Sequence, residues 1–176
     1  MTLSMWKTYT SWLTGAIFSN KNTNYMFQNE PTIQWMVWLR TCQLLWGYLQ
    51  TITPKDPRDA RLSLVTILWL AMKIDDDRYI YYPRQFHVLN SFIFTDKDMM
   101  KKELDILRTF DYKLPIKFDA SYHLHQLNLP SETIDACLAI LKEELGNGNV
   151  DFLEADAPDQ ASMAYAKYTT IQQASN

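Results

Sequence analysis

Apolar residues recur through most of this chain at steps of three and four, the period of an amphipathic helix, and nowhere in a sustained alternation of two. Leu3 to Phe18 makes a first helical segment, with Met5, Tyr9, Trp12 and Leu13 at helical spacing. Ser19 to Pro31 is polar and rich in Asn, a connection. Thr32 then stands as an N-cap for a helix running to about Thr51, with Trp35, Trp38, Cys42, Leu45 and Leu49 as its apolar stripe. Thr53 to Pro57 breaks that helix.

The segment from about Asp59 to Lys73 differs in kind. Leu62, Leu64, Val65, Ile67, Leu68, Trp69, Leu70, Ala71 and Met72 leave it almost no polar face. A helix apolar all round has to be enclosed by others, so this one is expected at the centre of a bundle. Asp75 to Asp77 leads out of it into an aromatic connection, Tyr79 to Pro83, and a short helix follows near Arg84 to Phe92. Thr95 with Asp98 forms a capping-box pattern that opens a helix to about Phe110. Met99, Met100, Leu104, Leu107 and Phe110 are the expected buried face. Leu114-Pro115 closes this part of the chain, giving an expected first domain over 1–115.

Residues 116–176 start again with a short helix, Phe118 to Leu127. Pro130-Ser131 caps a second, with Ile134, Cys137, Leu138, Leu141 and Leu145 inward and Gly146 as its stop. A third, Ala157 to Ile171, carries Ala161, Ala164 and Ala166, small enough for close helix approach. The expected class is all-α.

Composition narrows the function more than the fold. Of 176 residues, 47% are hydrophobic and 14% aromatic, enough for a packed core and against disorder. A net charge of −3 gives no electrostatic reason to expect nucleic acid or an anionic membrane as partner. The longest apolar run, Leu62 to Met72, is far short of the roughly 20 residues of a membrane span. No signal-peptide pattern opens the chain. Cys42 and Cys137 sit in helical patterns as small buried hydrophobes and make no disulfide framework. An intracellular, reducing compartment is expected.

Chemistry-bearing motifs are absent. There is no Gly-rich phosphate loop, no nucleophile elbow and no paired-His zinc helix. His123 and His125, two apart, point to different faces of a helix and do not share a metal. His87 is lone, and the run Asp75 to Asp77 fits a solvated helix exit. No catalytic residue, metal or cofactor is expected.

Two linked segments carry a resemblance. Leu70-Ala71-Met72-Lys73-Ile74-Asp75-Asp76 is similar to the cyclin-box signature "LASKFEE". Met99-Met100-Lys101-Lys102-Glu103-Leu104-Asp105-Ile106-Leu107 is similar to the helix of that family carrying a Met-Glu pair ahead of Ile-Leu. The interval from Lys73 to Glu103 matches the family's to about one residue. Met5 to Leu13 is similar in register to "MRAILVDWL", and Trp46 to Leu49 falls where cyclins end their second helix. Asp151-Phe152-Leu153 and the Ala-rich Ala157 to Tyr168 resemble the start of the third helix of a second cyclin box.

The resemblance to cyclins implies a cyclin fold: a five-helix bundle around a buried central helix, followed by a partial second repeat over 116–176. It implies a regulatory subunit that binds a cyclin-dependent kinase, of the cell-cycle or the Mediator-associated transcriptional type, in the nucleus. Lys73 and Glu103 match the two positions that hold the kinase, with stems packed and heads facing out. Tyr79, Tyr81, Tyr82 and Phe94 flank the same face and either widen the footprint or pack the loop. Met5, Tyr9 and Trp12 match the substrate-docking patch, but Trp6 stands where many cyclins have Arg and Gly15 where an acidic residue is usual. That puts docking of Arg-x-Leu substrates in doubt. Divergence and brevity point to a viral member of the family, of the retroviral type found in fish sarcoma viruses. The competing reading is a cyclin-fold transcription adaptor, similar to the core of general factor IIB, that binds proteins of the transcription machinery without activating a kinase.

Overall fold

A computed structural model describes residues 2–19, 31–75, 93–114 and 120–175, and among them it is helical with no strand. In chain order the helices are α1 (Leu3–Thr14, continued by a wider π turn, Gly15–Ser19), α2 (Pro31–Thr51), α3 (Pro57–Asp75), α4 (Asp96–Thr109), α5 (Ala120–Gln126), α6 (Ser131–Gly146), α7 (Val150–Glu154) and α8 (Ala157–Ala174). The expected short helix over Arg84 to Phe92 lies outside the described residues. The chain divides into two compact units. One holds Met1 and Tyr9–Ile116, the other Thr2–Thr8 and Lys117–Asn176, so the start of α1 groups with the second unit rather than with the first domain expected from sequence.

In the first unit α3 is enclosed, as its all-apolar pattern requires. Every residue from Ser63 to Met72 is buried, and α3 packs against both α2 and α4. A fully buried Val, Leu or Ile contributes about 1.5–3 kcal/mol, and Leu64, Val65, Ile67 and Leu68 are all of this kind. Helix α2 is nearly as enclosed, with Val37, Trp38, Leu39, Cys42, Leu44, Leu45, Tyr48 and Leu49 buried. Pro31 is itself the first helical residue of α2, a position where its missing N–H costs nothing; sequence, with Thr32 as N-cap, placed the start two residues later.

Trp38 shows how the core absorbs a polar atom. Its indole N–H donates to Thr14 Oγ1 at 3.1 Å, and that hydroxyl donates to the Thr10 carbonyl at 2.8 Å. The α4 capping box is complete: the Asp98 N–H reaches Thr95 Oγ1 at 3.2 Å and the Thr95 N–H reaches the Asp98 carboxylate at 2.9 Å.

Two stripes differ in phase from the sequence expectation. On α1 and its π turn the buried positions are Trp6, Thr10, Leu13, Ala16 and Ile17; of the expected stripe Leu13 is buried, while Met5, Tyr9 and Trp12 are not. On α4 they are Met99 and Ile106, while Met100 and Leu104 face solvent. Adjacent apolar pairs such as Met5-Trp6 and Met99-Met100 support two helical registers equally, and only the neighbouring helices choose between them.

The second unit packs α6 against α8, with α5 and α7 against them. Ile134, Cys137, Leu138, Leu141 and Leu145 are buried on α6 as expected. On α8 the buried small residues are Ala157, Ala161 and Ala164; Ala166 is exposed. The α6 stop is Gly148, which takes φ +76°, rather than Gly146, which remains in the helix. Cys42 and Cys137 are free and buried, and burial pushes both thiols above their ordinary pKa. No helix among the described residues is long and apolar enough to cross a membrane.

Candidate functional site

Lys73 and Glu103, thirty residues apart in sequence, meet. The Lys73 ammonium, in the last turn of α3, donates to Glu103 Oε1 on α4. The same ammonium lies 5.5 Å from the centre of the Trp69 ring, one turn back on α3, a cation–π distance. The side chains are 22% and 19% exposed. Their heads therefore do not stand free in solvent, as the sequence reading had them: each neutralises the other in a half-buried setting, and each keeps an edge toward solvent.

One residue earlier on α4, Lys102 pairs with Asp59 near the start of α3. Asp59 also accepts the Lys55 N–H at 3.0 Å. Burial alone would raise its pKa, but the hydrogen bonds from Lys102 and Lys55 and their charges outweigh it and hold the carboxyl below its ordinary value. Asp59 and Lys73 are about 21 Å apart along α3 at 1.5 Å per residue. Adjacent residues of α4 reach both, so α4 lies across α3 and is tied to it on either side.

Beside Glu103 runs an apolar strip. Met100 is 70% exposed and Leu104 39%, one turn apart, with Leu107 half-buried next along the helix. Beyond the end of α4, Tyr112 is 61% exposed and holds φ +57° directly after Asp111 at φ +51°. Left-handed backbone is costly for a residue with a side chain and is seldom spent on an exposed aromatic without return. Met100, Leu104 and Tyr112 were not singled out as exposed by sequence. The signal was there only as a second possible register of the α4 stripe.

The remaining expected site residues are distributed differently. Phe94 is 2% exposed, buried beneath the Arg58 guanidinium, which sits 5.4 Å from its ring centre. A ring so covered is core, and the surface it contributes is the Arg58 head above it. Tyr79, Tyr81, Tyr82 and His87 lie outside the described residues. Of the substrate-docking positions, Met5 is exposed in the second unit, whereas Tyr9 and Trp12 are half-buried in the first. Burial pushes the Tyr9 phenol above its ordinary pKa. Trp6, between Met5 and Tyr9, is fully buried.

His125 Nδ1 lies 2.6 Å from the Ser121 carbonyl and the His123 ring packs edge-on against Tyr122. Among the described residues no group of three potential ligands converges. No protein-family model matches the chain, and no curated protein matches it.

Proposed function

We propose that this chain is a cyclin-like regulatory subunit that binds a cyclin-dependent kinase, of the cell-cycle or Mediator-associated type, and modulates its activity. It acts as a binding protein without catalytic residues or cofactor, and its place of action is that of its partner, the nucleus. The observation that carries the reading is the Lys73–Glu103 pair. Two residues picked out by a motif, one at the end of an enclosed helix and one on the helix across it, meet at the edge of an exposed apolar strip.

The arrangement suits a docking face. Met100, Leu104 and Tyr112 offer apolar area that gains by leaving water, while the ion pair, each member held by the other, offers hydrogen-bonding atoms already in place. A partner then pays little to order them. In a kinase whose C-helix moves between outward and inward positions, only the inward state forms the internal Lys–Glu pair that positions ATP. A subunit that binds the inward state alone raises its population by its differential affinity.

The test is capture of kinases from cell extract by the full chain and by its Lys73→Ala/Glu103→Ala form, with the captured fraction assayed for phosphorylation activity. The proposal expects a cyclin-dependent kinase with wild type and at least tenfold less with the variant. Equal capture, or none by either, leaves the face without its assigned role.

A further inference from the structure

The first residues of the chain are fastened into the second unit, and Trp6 does the fastening. Thr2 caps the start of α1, its hydroxyl accepting the Met5 N–H at 3.3 Å and its carbonyl the Trp6 N–H at 3.1 Å. The Trp6 side chain is 1% exposed. Its indole N–H donates to the Leu145 carbonyl at 2.6 Å, deep in the second unit. Leu145 lies in the last turn of α6, where carbonyls lose their intrahelical partners. The Gly148 N–H takes one lone pair of that oxygen at 3.1 Å, and Trp6 takes the other.

The glycine beyond is shaped to the same contact. A Cβ on Gly148 would lie 2.5 Å from Leu3 Cδ1 and 3.2 Å from Trp6 Cδ1, on a backbone already at φ +76°. Leu3 is half in solvent and can swing aside; the Trp6 ring is enclosed and cannot. The α6 end, the Gly148 turn and the Leu3–Trp6 face of α1 thus form one socket and its plug.

We infer that Thr2–Thr8 is an N-terminal strap that controls how readily the second unit opens. Released, it uncovers the α6 end and removes a buried ring from the unit's core; latched, it closes both. Regions with few buried contacts open first in native proteins, and this strap decides whether the α6 end is such a region. Whatever draws the N-terminus away, a cleavage or a bound protein, then loosens α6 to α8.

Native-state hydrogen exchange on the full chain tests this, comparing wild type with Trp6→Phe, which keeps one six-membered ring but loses the N–H and the rest of the indole, and with Gly148→Ala. Loss of one buried hydrogen bond corresponds to about five- to tenfold in an opening equilibrium. Amides of α6 and α8 are expected to exchange faster by at least that factor in both variants, more so in Gly148→Ala, with those of α2 and α3 unchanged. Exchange that rises equally in α2, α3, α6 and α8 makes Trp6 a general core residue, and exchange that does not rise at all makes the indole bond irrelevant; either overturns the strap. Should Gly148→Ala fail to fold, Trp6→Phe alone decides between these outcomes.

Discussion

Helices α4 and α6 leave their last turn through the same pair of hydrogen bonds, yet with opposite chemistry. At α4 the Tyr112 N–H returns to the Leu107 carbonyl at 2.8 Å and the Asp111 N–H to Arg108 at 2.9 Å. At α6 the Asn149 N–H returns to Glu144 at 3.0 Å and the Gly148 N–H to Leu145 at 3.1 Å. Both satisfy carbonyls that the helix leaves over, and both need a left-handed residue to do it. The α6 turn uses glycine because Leu3 and Trp6 occupy the space where a side chain would go. The α4 turn uses Asp and Tyr, at a cost of about 1–2 kcal/mol for a left-handed residue, and sets an aromatic ring in solvent just past the helix end. One helix end is built for closure, the other for presentation.

Breaking the closed end is expected to have the largest effect. Gly148→Ala places a methyl against the Trp6 ring in a disfavoured backbone, and a loss of about 2 kcal/mol is expected in urea denaturation. A change of a few tenths would show that the ring yields and that the turn is not closed by shape.

The ion pair comes next. Lys73→Ala leaves Glu103 half-buried without its cation, and Glu103→Ala leaves Lys73 only the Trp69 ring. A double-mutant cycle in urea is expected to give a coupling of about 1 kcal/mol. Zero coupling would reduce the pair to a surface formality.

Replacing the strained residue at the open end works in the other direction. Asp111→Gly is expected to stabilise the chain by up to about 1 kcal/mol in thermal or urea unfolding. The lost ion pair to Lys113, 3.9 Å long and fully in solvent, offsets almost none of that. Destabilisation would mean that Asp111 holds the turn by a contact other than its backbone.

The smallest effect is expected from pH. Asp59 is held below its ordinary value of 3.8. A carboxyl depressed in the folded state contributes stability that is complete above its unfolded pKa and is lost as pH falls through the folded one. Wild type and Lys102→Ala should therefore differ in stability near pH 6 and converge as pH falls below 3.8 and through the lowered folded-state value. A gap that persists at low pH would assign Lys102 to packing rather than charge.

How much of this was legible in the sequence depended on whether a residue's local neighbours fixed its role. The Thr95–Asp98 box is a four-residue pattern and stands as expected. The enclosure of α3 followed from its composition, since no register of Leu64 to Met72 offers a polar face. Lys73 and Glu103 were singled out together by the resemblance of two segments to cyclins, but their direct pairing and mutual neutralisation needed α4 to pack on α3. The phases of α1 and α4 were not legible, because Met5-Trp6 and Met99-Met100 each allow two. Gly146 and Gly148 are equally plausible stops until Trp6 arrives from the far end of the chain. Tyr112 gave no sign of a left-handed backbone, a conformation glycine announces and tyrosine does not.

The account stands or falls on the α3–α4 face. The most direct measurement is amide hydrogen exchange of the full chain, alone and mixed with a cyclin-dependent kinase, the proposed partner. The account predicts protection concentrated in the last turn of α3, along α4 from Met99 to Thr109, and through the Asp111–Tyr112 turn. Protection confined to α5 through α8, with α4 exchanging as in the free chain, would contradict it.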